Sequence, residues 1–184
     1  MKKYQIYGLG AALVDTEIVV TDAFLSTHKI DKGLMTLVDE ERQFELLEAL
    51  NSHSFHIKRS CGGSACNTIV AASCFGSKAF YSAKVADDDD GKFFVEDLQA
   101  TGVDFHNTEA SFGITGKCLV MVTDDAERTM NTFLGANLDL TSNEVDEQAL
   151  IDSDWLYLEG YLVTDDARTA VAVKAMECAK VNQV

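Results

Sequence analysis

Apolar positions along the chain follow two spacings, every second residue and every third or fourth, and the changes between them delimit the elements. Residues 4–10, YQIYGLG, form a short apolar run that predicts a buried strand turning at Gly8 and Gly10. Residues 17–20 and 28–38 mix β-branched or apolar residues with polar ones, which predicts half-exposed strands. From Asp39 to Asn51 the pattern becomes helical: Phe44, Leu47 and Leu50 recur on one side with Leu46 beside them, Asp39 is placed to cap, and acidic residues fill the first turn. Residues 54–60 set Phe55, Ile57 and Arg59 against His56 and Lys58 as a strand would, and end at Gly62-Gly63. A helix is expected from Ser64 to Phe75, closing at Gly76.

The alternation continues with a strand at 79–85, an acidic turn at Asp87–Asp90 and a helix at 92–101 that buries Phe94 and Leu98. Gly102 turns the chain into another strand. Segments 117–123 and 128–134 flank Asp124-Asp125-Ala126-Glu127 as a hairpin. A short helix at 143–151, a strand at 155–159 and a helix at 166–180, with Val171, Ala175 and Ala179 on one face, complete the series. Strands alternating with helices indicate an α/β fold with a mainly parallel sheet, and the extra hairpins indicate a small β-sheet lid. The pattern calls for a further strand after the last helix, beyond Val184, so residues 1–184 read as an incomplete domain.

Composition narrows the functions. The chain is 47% hydrophobic and 24% charged, enough apolar surface to fold. Thirty acidic against fifteen basic side chains give a net charge of −15, the wrong sign for binding nucleic acid or an anionic membrane surface. No apolar run reaches the ~18 residues of a membrane span, and the first residues lack a signal-peptide pattern, so a cytoplasmic location is expected. Five cysteines, in apolar or small-residue surroundings, are expected to be reduced and buried.

Gly62-Gly63-Ser64-Ala65-Cys66-Asn67 stands between a predicted strand and a predicted helix. Two glycines let a ligand approach the backbone, free N–H groups of the first helical turn point at it, and Asn67 offers a donor and an acceptor. The competing reading is an ordinary Gly-Gly turn with Asn67 as a local cap. Asp15 follows the Gly8-x-Gly10 turn, where its carboxylate would take two hydrogen bonds from a vicinal diol or simply sit in solvent. Leu13 stands where a dinucleotide fingerprint needs its third glycine, and Gly113–Lys117 misses the spacing of a P-loop. The run Asp87–Asp90 precedes a helix and suits capping better than Mg²⁺. His53 and His56 have no third ligand nearby in sequence. Arg128 either pairs with Glu127 or Asp124 or reaches a transferring phosphate.

The Gly62–Asn67 segment, the small-residue helix to Gly76, and Lys84-Val85-Ala86-Asp87-Asp88 with Gly91 together resemble the N-terminal signature of the ribokinase (PfkB) family of carbohydrate and nucleoside kinases. Residues 32–39, 127–136 and 157–162 are similar to its bacterial adenosine-kinase-like branch. The resemblance implies a three-layer α/β/α core with a lid built from excursions near 15–38, 53–60 and 113–135. The implied reaction moves the γ-phosphoryl group of ATP, with Mg²⁺, to a primary hydroxyl of a nucleoside or sugar. Asp15, Gly62, Gly63 and Asn67 would then hold the acceptor, Leu13 and Tyr161 would flank its base, and Arg128 would lie near the phosphates. The resemblance also leaves open a kinase of a free sugar such as ribose or fructose, and a noncatalytic binding or scaffold fragment. The family's G-A-G-D signature, which carries the general base, and its N-x-x-E segment are absent from residues 1–184. The general base is therefore expected beyond Val184. The chain is accordingly expected to hold no catalytic residue, to be inactive alone, and to form a homodimer through the lid or an uncovered sheet edge.

Overall fold

The computed structural model describes residues 2–51, 57–106 and 112–184. In chain order its elements are β1 (Tyr4–Leu9), β2 (Leu13–Val19), α1 (Asp22–Thr27), β3 (Met35–Leu37), α2 (Glu40–Asn51), β4 (Ile57–Gly62), α3 (Ser64–Cys74) and β5 (Ala79–Ser82). There follow α4 (Asp89–Ala100), β6 (Val103–Phe105), β7 (Gly116–Val122), β8 (Arg128–Phe133), α5 (Glu147–Ile151), β9 (Ser153–Leu158) and α6 (Asp166–Val181). The candidate ligands His53 and His56, and Phe55, lie outside the described residues.

The strands divide between two sheets. The first is parallel throughout, in the order β6-β5-β1-β9. Its faces are both covered, as parallel sheets require. Tyr7, Leu9 and Phe80 pack with Val171, Ala172 and Ala175 of α6 on one side, while Tyr81 packs with Ile69 of α3 and Phe94 of α4 on the other. This gives the α/β fold with a parallel sheet expected from the alternation, in the three α/β/α layers that the resemblance implies. Val184 packs back on α6. Its N–H donates to the Ala179 carbonyl at 2.9 Å, and its side chain packs against the cluster of Tyr7 and Val171.

The second sheet is mixed, in the order β3-β8-β7-β2-β4, with β2 parallel to β7 and antiparallel to β4. One of its faces is closed by α1 and α2: Ile18, Leu119 and Met121 meet Phe24, Leu25, Leu46 and Leu50. Side chains alternate across a strand, so the intervening residues of β2, β7 and β8 point away from this core. That opposite face carries the site.

Several local expectations need correction. Only Met35–Leu37 of the segment 28–38 is a strand, and residues 22–27 before it form a helix capped by Thr21, whose side chain accepts from the Phe24 N–H. Lys29 and Gly33 have positive φ and turn the chain between them. Asp39 does cap α2, accepting from the Arg42 N–H at 2.8 Å, but Phe44 is exposed and Gln43 takes the inner position. The strand expected to run to Val85 stops at Ser82, and α4 begins at Asp89 rather than Lys92. The segment 143–151 opens as a 3-10 turn at Ser142–Glu144 before α5. All five cysteines are free thiols; Cys61, Cys66 and Cys118 are buried, but Cys74 is exposed and Cys178 half-buried. Among the described residues no helix is long and apolar enough to cross a membrane.

Candidate functional site

A cavity of about 260 Å³ opens where the chain leaves β1 in one sheet and enters β2 in the other. The two-residue period of the strands builds one wall. Asp15 on β2 is in register with Cys118 on β7, Cys118 with Thr132 on β8, and Thr132 with Leu37 on β3, so a single cross-strand row faces the cavity. Met35, Met130 and Leu134 add apolar surface beside it. Burial pushes the Cys118 thiol up to about 11, and the Thr132 hydroxyl donates to its sulfur at 3.3 Å, so this thiol is wall rather than nucleophile.

The opposite wall is the start of α3. The Gly62-Gly63 pair is required there for two separate reasons. A Cβ on Gly62 would overlap the Asp15 carboxyl group, so only glycine lets the carboxylate rest against β4. Gly63 has φ +106, a conformation disfavoured for residues with a Cβ, and a Cβ there would meet the Ala11 carbonyl oxygen at 2.6 Å. Asn67 follows one turn into α3 on the same cavity wall, where its side chain draws the Asp15 carboxyl downward.

Six of the residues singled out from the sequence, Leu13, Asp15, Gly63, Asn67, Arg128 and Tyr161, line this one cavity, and Gly62 backs Asp15 from behind. Burial pushes the Asp15 carboxyl up to about 6, against the nearby Arg128 charge and the Asn67 hydrogen bond, which both draw it down. Arg128 makes no ion pair with Glu127 or Asp124 among the described residues, contrary to the simpler of its two readings. A half-buried carboxylate flanked by an amide and a guanidinium, facing apolar surface, is suited to hold vicinal hydroxyl groups of a ligand whose remainder is flat or apolar.

Three contributors escape the sequence reading. Glu159, just beyond β9 and 6% exposed, accepts from the Ala11 N–H at 2.6 Å, the Ser64 hydroxyl at 2.6 Å and the Ala65 N–H at 3.0 Å. The first-turn N–H of α3 expected to await a ligand is thus already taken by this side chain. Asn137 clamps the start of β2: its Oδ1 accepts from the Ala12 N–H at 2.7 Å while its Nδ2 donates to the Ala12 and Leu134 carbonyls at 2.8 and 2.7 Å. Arg168 reaches the cavity from α6, its guanidinium held by Asp165 and by the Thr164 hydroxyl. The one available signal is an acidic residue at the end of an apolar strand, Glu159; Asn137 sits in a five-residue 3-10 turn, Gly135–Asp139, too short to show a pattern.

The acidic run 87–90 behaves as a cap. Asp88 accepts from the Gly91 N–H and from both the N–H and hydroxyl of Thr115, tying α4 to the entry of β7. Burial would raise the Asp88 carboxyl, but these hydrogen bonds outweigh it and hold it below its ordinary value. Among the described residues no cluster of three His, Cys, Asp or Glu fits a metal ion.

The description "pfkB family carbohydrate kinase" matches residues 27–184. The chain is 30% identical over 137 residues to a 5-dehydro-2-deoxygluconokinase of Clostridium botulinum, covering 71% of this chain and 40% of that protein. It is 28% identical over 107 residues to the ribokinase of Mus musculus, covering 58% of this chain and 32% of that one. The solved adenosine kinase from Sinorhizobium meliloti superposes with a TM-score of 0.90 at 32% identity, over 98% of this chain and 54% of its own. The chain therefore spans about half or less of the length of these relatives, and its α/β architecture is that of ribokinase-like kinases. It belongs to the pfkB family of carbohydrate kinases.

Proposed function

We propose that this chain is the acceptor-binding portion of a kinase that transfers the γ-phosphoryl group of ATP to a primary hydroxyl of a nucleoside, adenosine-like in shape. The observation that carries this reading is the Asp15 carboxylate, backed by Gly62 and sharing one cavity with Asn67 and the apolar Met35, Met130 and Leu134. Asp15 and Asn67 hold the ribose hydroxyls, Leu13 and the half-exposed Tyr161 flank the base, and Arg128 supplies positive charge toward the phosphates. The second sheet acts as a lid over the acceptor, from excursions near 15–38, 53–60 and 113–135, and residues 1–184 form an incomplete ribokinase-like domain. ATP and Mg²⁺ belong to parts of the fold that supply the general base, which this reading puts beyond Val184. The chain alone is then inactive, and a coupled ATP-consumption assay with adenosine is expected to read at the buffer rate.

Isothermal titration with adenosine, ribose and fructose tests the acceptor. Binding of adenosine, lost in Asp15→Ala, supports the nucleoside reading. Binding of a free sugar without adenosine would move the chain to a free-sugar kinase, the class to which the mouse ribokinase belongs by name. Binding of none of the three favours a noncatalytic scaffold.

A further inference from the structure

Asn131 lies in β8 between Met130 and Thr132, which line the cavity described above. Side chains alternate across a strand, so Asn131 points to the other face of the second sheet, where α1 and α2 lie. It lines a second cavity there, of about 310 Å³, between β3, the loop after α1 and the start of α2. Leu37 borders both cavities, which thus stand back to back across the sheet.

The Asn131 side chain is 4% exposed, and its amide makes no hydrogen bond among the described residues; Nδ2 is a fully buried donor without an acceptor. Leaving a buried polar group unpaired is costly, so each such group calls for an explanation. The other buried side-chain atoms without a partner among the described residues are Nε2 and Oε1 of Gln43, on α2, the helix that packs on β8. Unmet polar groups therefore gather on one side of this sheet. The cavity beside them carries both signs of charge. Exposed Lys29 and Asp31 line it, and neither forms an ion pair among the described residues. Its other charged groups are engaged: Arg42 donates to Glu45 and to the His28 carbonyl, and Oδ1 of Asp39 accepts from the Arg42 N–H. A simple anion would meet Asp31 and Asp39 there, and a simple cation would meet Lys29 and Arg42. A ligand that carries a carboxylate and an ammonium on neighbouring carbons matches both signs. The Asn131 amide, whose last torsion is soft, offers a donor to the one and an acceptor to the other.

We propose that this second cavity binds a small zwitterion of the α-amino-acid class, its carboxylate taken by Asn131 Nδ2 and Lys29 and its ammonium by Asp31 and the free oxygen of Asp39. The proposal is independent of the acceptor reading, which uses the opposite face of the same strands.

The test follows the side-chain amide resonances of Asn131 in the full 184-residue chain while L-alanine, L-lactate or L-alaninol is added. Lactate keeps the carboxylate and replaces the ammonium by a hydroxyl; alaninol keeps the ammonium and loses the carboxylate. Alanine is expected to give saturable shifts with a dissociation constant on the order of millimolar, and the other two to bind at least about tenfold more weakly. No saturable shift with alanine overturns the proposal, since solvent then meets the amide. Lactate or alaninol binding as tightly as alanine overturns it too, because the site would then select one charge only. Lys29→Met and Asp31→Asn change exposed side chains, and each is expected to weaken alanine at least about fivefold, whereas wild-type affinity in both removes the charge pairing and with it the proposal. Asn131→Leu is expected to abolish binding, followed there through the backbone amide of Leu37, and retained affinity overturns the assignment; should that variant fail to fold, the two surface variants still decide. Asp15→Asn is expected to bind alanine as wild type does. Loss of alanine binding there would put the ligand in the acceptor cavity and overturn the second site, whether or not the chain binds adenosine.

Discussion

Asp15 is held in the folded chain with its carboxyl raised to about 6, so the native state grips the proton more tightly than the unfolded chain does. Relative to this group, stability is greatest below the unfolded value and declines as pH rises through about 6, where the buried carboxylate must ionise. Asp15→Asn, which keeps the acceptor oxygen for Asn67 and removes the charge, is expected to stabilise the empty chain by on the order of 2 kcal/mol at pH 8 and by little at pH 4. Thermal melts at the two pH values check this. Ligand binding runs the other way: acceptor affinity is expected to fall as pH drops below about 6 in the wild type, and the same titration in Asp15→Asn should be weak and flat. A wild-type affinity independent of pH between about 5 and 8 would remove Asp15 from the binding role. Gly63 and Asn67 are legible in the sequence because they mark a helix start, and Asp15 because it follows the Gly8-x-Gly10 turn, although it lies within β2 rather than in a turn. Glu159 and Asn137 are harder to read, because the Ala11, Ala12, Ser64 and Ala65 groups they bond lie 94 to 148 residues away, and the only local sign is the acidic residue ending an apolar strand at Glu159.

At the scale of elements, the turn between β4 and α3 and the start of β2 are rigid parts on which the site is mounted. Gly62→Ala forces a methyl group into the space of the Asp15 carboxylate, and Gly63→Ala adds a positive-φ backbone penalty of roughly 1–3 kcal/mol. We expect both to weaken acceptor binding at least about tenfold, a loss of roughly 1.4 kcal/mol, with urea denaturation separating the large stability loss of Gly63→Ala from the mainly local effect of Gly62→Ala. Asn137→Leu leaves the buried Ala12 N–H and carbonyl without partners, and a loss of about 2–4 kcal/mol in urea unfolding is expected. The helices α2, α3 and α6 and the β7–β8 hairpin are legible because each carries a full period or a clear turn. α1 escapes because six residues burying only Phe24 and Leu25 give too short a pattern. β3 is overextended in the sequence reading because all three of its residues are exposed, and what makes it a strand is its pairing with β8, which sequence does not display.

For the whole molecule, the parallel sheet of the described residues ends at β9, an edge with Trp155 72% exposed beside it. An edge of unpaired N–H and C=O groups next to a large apolar side chain is a template for another strand. Val184 does not cover it, being folded back on α6. Residues 1–184 are therefore expected to self-associate through β9, and sedimentation velocity should show a concentration-dependent species that Trp155→Lys abolishes. A wild type that stays monomeric across micromolar concentrations would remove β9 from that role. The buried Lys84–Glu144 pair, at 2.7 Å, joins the loop after β5 to the 3-10 turn before α5.

Trp155 is also the only tryptophan of the chain. The protein's ultraviolet emission thus originates almost entirely from one indole standing in water on the sheet edge, red-shifted and open to iodide quenching. Any polypeptide that lays itself along β9 must dry that ring, moving the emission to the blue and shielding it from iodide, so the occupation of this edge has its own built-in light signal.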